Sequence, residues 1–302
     1  MKDFLSISSC RTEELLELLD LSDSLKKFYK KGERDLCLAG KSLVMLFEKP
    51  SLRTRMSFQI AMSQLGGSPI YVKPEDIGGI GKREPIKDMA RVLDRMANGI
   101  MARTFAHDTV VELANYSEIP VINALTDWSH PCQAMADVMT VREHFGKLEG
   151  VKIAYIGDGN NVARSLAFVC AKFKMKLVVA SPKGYELDNE SITRANEITP
   201  GSASQINNPA DAVKDADVLY TDTWVSMGQE AEKAKRIADF QGYAIDDKLM
   251  ALAPNAKIMH CLPAYRGLEI SDEAMECKNS IVFDEAENRL HFQRALLKKL
   301  LS

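Results

Sequence analysis

The sequence predicts an α/β fold of two doubly wound domains, each with a parallel β-sheet flanked by helices, the two joined by interdomain helices. Three observations carry that prediction. At 302 residues the chain exceeds what one hydrophobic core usually supports. Short β-branched apolar runs alternate with longer amphipathic stretches, the pattern of βα units around a parallel sheet. The polar residues that stand out fall just past the C-terminal ends of the expected strands, where open α/β sheets bind their ligands.

A first series of strands is expected near residues 42–47, 69–72, 99–102 and 121–124, and a second near 152–156, 176–180, 217–221, 257–259 and 281–283. A helix over 131–145, stopped by Gly146, leads into a charged link and marks the domain junction. The expected domains are therefore 1–146 and 147–284, with the strongly helical segment 285–302 packing back on the first. No internal repeat or low-complexity tract supports a solenoid or a disordered tail.

Composition narrows the function. The 39 basic and 42 acidic residues are mixed along the chain, with no basic stripe to suit a polyanion, so nucleic acid is not an expected partner. No apolar run approaches the roughly 20 residues of a membrane helix, and the N-terminal MKDFLSISSC lacks the apolar stretch of a secretory signal. No membrane partner is expected, and the location reads as cytoplasmic. Six scattered cysteines, without a C-x-x-C pair or histidines at zinc spacing, imply neither a disulfide framework nor a structural metal.

The stretch FEKPSLRTRMSF places Ser51 at the start of a helix whose apolar positions run on to Leu65 and are closed by Gly66 and Gly67. A helix N-terminus offers unpaired N–H groups and about half a positive charge, and Arg53, Thr54 and Arg55 add donors, which makes a phosphate cradle. Taken alone, Ser51 is a helix cap and the arginines a solvated face. Arg103 and His130, ending neighbouring strands, turn the reading toward an anion site, with His130 a donor to a polarised carbonyl.

In AYIGDGNNVARSL, Gly157 and Gly159 lie between a strand and a helix and invite a dinucleotide-binding reading, hence a nicotinamide-dependent dehydrogenase. The third glycine position holds Val162, and the next strand ends in Ala180 and Ser181 where an acidic ribose-binding residue belongs. Asn160 and Asn161 suit a small polar ligand better. Asp222 closes the strand DVLYTD and reads either as a partner for an ammonium or as a helix cap; the loop after it, TWVSMG, offers Ser226. Cys261 at the end of a further strand reads as inert packing until Asp222 is set beside it.

Together FEKPSLRTR, MARTF, HPCQAMAD, GDGNN, DTWVSMG, HCLP and ENRLHFQRALL resemble, over nearly the whole chain, the aspartate/ornithine carbamoyltransferase superfamily, closest to its ornithine branch. The resemblance implies transfer of a carbamoyl group from carbamoyl phosphate to the side-chain amine of L-ornithine, with no cofactor or metal, in a homotrimer or a multiple of it. It implies that Ser51, Leu52, Arg53, Thr54, Arg103, His130, Gln133, Cys261, Leu262 and Arg289 serve carbamoyl phosphate. Asn161, Asp222, Ser226 and Met227 would hold ornithine, and Arg103, His130 and Cys261 would act in catalysis. Two departures stand out. Leu52 replaces a threonine, as in relatives acting on acylated ornithines, and putrescine is a further related acceptor. In EDIGGIGKRE, a loop that in the family reaches a neighbouring subunit, Gly79 replaces a glutamine, with Lys82 and Arg83 as substitutes.

Overall fold

In the first sheet the strands are β1 (Ser42–Phe47), β2 (Ser68–Val72), β3 (Gly99–Arg103) and β4 (Val121–Leu125). The computed structural model describes residues 1–302. Strands β3 and β4 are buried along their whole length, which is why GIMAR and VINAL read as continuous apolar runs rather than alternating ones. Strand β2 is half exposed and carries Pro69, as an edge strand can.

The second sheet holds β5 (Lys152–Ile156), β6 (Lys176–Ala180), β7 (Ala203–Ile206), β8 (Val218–Thr221) and β9 (Lys257–His260). All pairings in both sheets are parallel, in the orders β2-β1-β3-β4 and β7-β6-β5-β8-β9. Each order reverses direction once, between β1 and β3 in the first sheet and between β5 and β8 in the second. The chain divides into two compact units, Met1–Met139 with Glu287–Ser302, and Thr140–Ala286. The division falls inside the helix Pro131–Phe145.

Two expectations need correction. The expected strand at 281–283 is the start of the helix Val282–Leu301, and only a single bridge, Ile258 to Ser280, touches the sheet there. A short apolar run is ambiguous between strand and helix, and here Asp284 and Glu285 in the first turn suit a helix N-terminus. Strand β7 was not foreseen, because ASQI is an edge strand with a polar exposed face and no apolar run. No helix is long and apolar enough to cross a membrane.

Gly159 has a packing reason. A Cβ at this position would sit 2.1 Å from the Leu187 backbone nitrogen, so the turn after β5 passes directly against the segment after β6. Gly159→Ala is expected to destabilise the protein by roughly 1–3 kcal/mol, the usual cost of overpacking a site that cannot relax. Denaturant unfolding checks this; a wild-type midpoint would contradict it.

Candidate active site

The residues singled out in the sequence gather around the two reversals of strand order, with His130 and Gln133 coming from after β4 and Cys261 and Leu262 from after β9. In the first unit, Ser51 caps the helix Leu52–Gln64, its Oγ accepting from the Thr54 N–H at 3.3 Å. The Thr54 hydroxyl oxygen then collects donors from three directions: Ser51 Oγ at 3.2 Å, Arg103 Nη1 at 3.3 Å and Arg289 Nη2 at 3.1 Å. Arg103 ends β3, where the register with β4 slips between Ala102 and Arg103; a bulge of this kind re-aims the side chain that follows. Arg289 comes from the helix Val282–Leu301. Both arginines are nearly buried, at 5% and 3% exposure, so two guanidiniums and a helix N-terminus meet around one neutral hydroxyl.

Gln133 completes this cluster. Its Nε2 donates to the buried Asp137 at 2.9 Å, which turns its Oε1 toward Arg289 Nη1 at 2.5 Å. His130 is buried just before Pro131, and burial first, then Arg289 and Arg103, hold its pKa well below the usual histidine range. It is therefore a neutral imidazole beside cations, able to donate to an oxygen without adding charge. Cys132, two residues on, is inert: burial pushes its thiol up to about 12. Leu52 is 72% exposed, and Arg53 is half-buried in the first helical turn.

The loops carrying these groups are laced together. The Glu48 N–H and the Lys49 N–H donate to the Arg103 carbonyl at 2.8 and 3.3 Å, and the Phe105 N–H donates to Glu48 Oε2 at 2.9 Å. The buried Lys49 ammonium pairs with Asp127 and lies 4.3 Å from the Phe105 ring centre. Lys82 and Arg83 are exposed, in the glycine-rich loop after the helix Pro74–Ile77.

In the second unit Asp222 is the centre. Its Oδ1 accepts from the Thr223 N–H at 2.7 Å and from the Cys261 thiol at 2.9 Å, and its Oδ2 accepts from Asn160 Nδ2 at 2.8 Å. Asn161 opens the helix Asn161–Lys172 next to it. Asp222 is thus a hydrogen-bonded carboxylate, not a helix cap, and Cys261 is its partner. Cys261 and Leu262 lie in this unit, apart in sequence from the other residues expected to serve carbamoyl phosphate. Leu262 sits at φ +56° before a cis proline.

The loop with Ser226 and Met227 is held at its base. Trp224 is buried and stacks on Phe240, and its carbonyl accepts from Arg236 Nη1 at 3.1 Å. The same Arg236 nitrogen donates to Asp158 Oδ2 at 3.0 Å. At the tip, the Ser226 N–H donates to Gln229 Oε1 at 3.0 Å and Met227 is exposed.

Asp222, His260 and Cys261 each bring one ligand atom within 4.8 Å of the others. Both nitrogens of the His260 ring have other partners: Nδ1 accepts from the Leu262 N–H at 2.8 Å, and Nε2 faces Glu269 Oε1 at 3.3 Å. The set reads as a hydrogen-bonded network. Sequence reasoning missed Arg236 and Lys49 as parts of the site, and it named Asp158 and Asn160 within GDGNN without the partners they hold. Each acts through another side chain, and only a fold that brings distant loops together reveals that.

Comparison with known proteins bears on both clusters. Residues 2–143 match the family model "Aspartate/ornithine carbamoyltransferase, carbamoyl-P binding domain", and residues 149–300 match "Aspartate/ornithine carbamoyltransferase, Asp/Orn binding domain". The chain is 50% identical over 301 residues to an ornithine carbamoyltransferase of Methanosarcina mazei, covering 99% of each chain. It is 47% identical to one of Archaeoglobus fulgidus, covering 100% of this chain and 98% of the other. Among solved structures, the ornithine carbamoyltransferase from Pyrococcus furiosus superposes with a TM-score of 0.96 at 45% identity, covering 99% of this chain and 97% of that one. The enzyme from Thermus thermophilus gives 0.90 at 44%, covering 100% and 99%.

The depressed histidines yield a pH prediction. An unfolded chain protonates histidine near 6.5, whereas folded His130 resists well below that and His291 down to about 4, both chiefly through burial. Between those values the unfolded state binds more protons, so stability is fully present above about pH 6.5 and falls as the pH drops below it. The imidazole signal of His130, identified by its loss in His130→Asn, should stay at its neutral position as the pH is lowered through about 6.5, where a free histidine titrates. Titration near 6.5 would show that His130 is not held neutral.

Proposed function

We propose, since the chain belongs to the aspartate/ornithine carbamoyltransferase family, that it transfers the carbamoyl group of carbamoyl phosphate to the side-chain amine of L-ornithine, giving L-citrulline and phosphate. The observation that carries this reading is the convergence of Arg103, Arg289 and the Ser51 helix terminus on Thr54. Two buried guanidiniums around a neutral hydroxyl favour a doubly charged phosphate, and the neutral His130 suits a carbonyl beside it. In this reading the first unit takes carbamoyl phosphate through Ser51, Arg53, Thr54, Arg103, His130, Gln133, Arg289 and the backbone at Leu52. The second takes ornithine through Asn161, Asp222, Ser226 and Met227, with Cys261 and Leu262 at the turn beside Asp222.

The chemistry follows from those groups. At a side-chain pKa of about 10.4, only on the order of one ornithine in a thousand carries the neutral amine at neutral pH. Asp222 and Cys261 position that amine. Its nitrogen lone pair forms a bond to the carbamoyl carbon, and the electrons of the carbonyl move onto oxygen, where Arg103 and His130 donate to the developing charge. Collapse breaks the bond from carbon to the phosphate oxygen, and the departing phosphate carries away the amine proton. No step calls on a cofactor.

The reading includes a homotrimer or a multiple of it. Leu52, Met56 and Ile60, spaced four residues apart on one face of the helix Leu52–Gln64, are all exposed, and so is Ile70 on the edge strand β2. An exposed apolar stripe of this kind suits an interface between copies. A cytoplasmic location is supported by six free cysteines, which a reducing compartment maintains.

Citrulline formation from carbamoyl phosphate, with ornithine, N-acetylornithine, putrescine or aspartate offered as acceptor, tests the function. Activity with ornithine, rising toward the amine pKa, is expected; activity with another acceptor alone would overturn the assignment of the second unit. Arg103→Ala should lose about a hundredfold or more in turnover, as oxyanion donors do. Cys261→Ala should raise the ornithine requirement and leave that for carbamoyl phosphate little changed. Light scattering should give the mass of a trimer or its multiple, and Met56→Glu should lower it; a monomeric wild-type protein would exclude this assembly.

A further inference from the structure

The ornithine reading gives the Asn160 side chain no role. Asn160 uses both ends of its amide. Its Oδ1 accepts from the N–H groups of Val162 at 2.9 Å and Ala163 at 3.3 Å, which caps the helix Asn161–Lys172, and from the Tyr155 hydroxyl at 3.3 Å. Three donors on one end of the amide fix which end is oxygen. The nitrogen end therefore faces Asp222, and Nδ2 donates to Asp222 Oδ2 at 2.8 Å. Tyr155 is fully buried, and burial first, then the charge of Asp222, keep its phenol protonated and so a donor.

An ionised carboxylate offers about four lone-pair directions. At Asp222 the Thr223 N–H, the Cys261 thiol and the Asn160 amide occupy three. One direction is left, and the three partners set where it points. The geometry points to Asn160 as the positioning residue that turns this last acceptor direction of Asp222 toward the substrate amine and keeps it in register with Asn161. The assignment rests on the ornithine reading above. Helix capping alone asks only for an oxygen at this position; the donor to Asp222 is what an asparagine adds.

Two substitutions separate the roles. Asn160→Ser keeps a good cap but has no amide to reach Asp222. Its unfolding midpoint should fall only slightly, from the lost bond to Asp222, and its KM for carbamoyl phosphate stay within about twofold, while its KM for ornithine rises about tenfold or more, the scale of a lost hydrogen bond to a charge. Asn160→Asp keeps size and cap and sets a second carboxylate against Asp222. Two carboxylates sharing a site resist joint ionisation, so the acid limb of kcat/KM for ornithine should move to higher pH. A wild-type ornithine KM in Asn160→Ser, or an unmoved pH profile in Asn160→Asp, would reduce Asn160 to a helix cap. A parallel loss of stability and of both KM values would make its role structural. Wild-type protein assayed in the same series keeps the two readings apart: no citrulline from it would remove the ornithine reading, whereas normal wild-type activity with an unaffected serine variant removes only the positioning role.

Discussion

The site residues stand where they do because each parallel sheet reverses its strand order once. A parallel strand cannot return by a tight turn, so each connection crosses a face of the sheet. Where two neighbouring strands send their connections to opposite faces, a crevice opens at their C-terminal ends. In the first unit the last registered pair before the crevice is Phe47 with Arg103, and in the second it is Ile156 with Thr221. Thr54 and Arg103 meet across the first gap, 49 residues apart in sequence, and Asn160 and Asp222 across the second, 62 apart. The backbone ladders therefore set the spacing of the chemistry to within a hydrogen bond.

The two crevices carry opposite electrostatics. In the first, the Arg103 and Arg289 guanidiniums are buried together on the Thr54 hydroxyl, an arrangement that favours an anion. Their field, added to burial, keeps His130 neutral, so the imidazole donates without enlarging the positive charge. In the second, one carboxylate is surrounded by donors and favours an amine or ammonium. The same residue type does different work by position: Cys132, with its thiol pushed up to about 12, only packs, while Cys261 shapes the carboxylate it donates to.

Much of this was legible in the sequence, for a physical reason. Buried parallel strands must be apolar throughout, so β1 and β5 stand out with their full bounds, and their ends mark where the polar motifs begin. Strand β7 was not legible, since an edge strand with one wet face needs no apolar run. Nor was the helical fate of 281–283, where the acidic turn after a short apolar run decides the outcome. Asn160 was visible only as one of two amides. Its engagement with Asp222 depends on strand order, which the sequence pattern does not contain.

The two helix N-termini at these crevices show why the glycine-rich turn is not a nucleotide site. After β5, Asn160 Oδ1 takes the N–H groups of Val162 and Ala163, which a pyrophosphate would need, and Gly159 is pressed against the Leu187 backbone instead of a ligand. Asp222 sits beside the same terminus and repels an anion. After β1 the arrangement is reversed. Ser51 Oγ takes the Thr54 N–H at 3.3 Å, and the groups gathered beside that terminus are Arg103 and Arg289, both positive. A glycine pattern shared with dinucleotide-binding turns thus says little about the ligand. The cap and the nearest charge decide whether a helix terminus suits an anion, and of the two termini at these crevices the groups on hand favour an anion at the first and oppose one at the second.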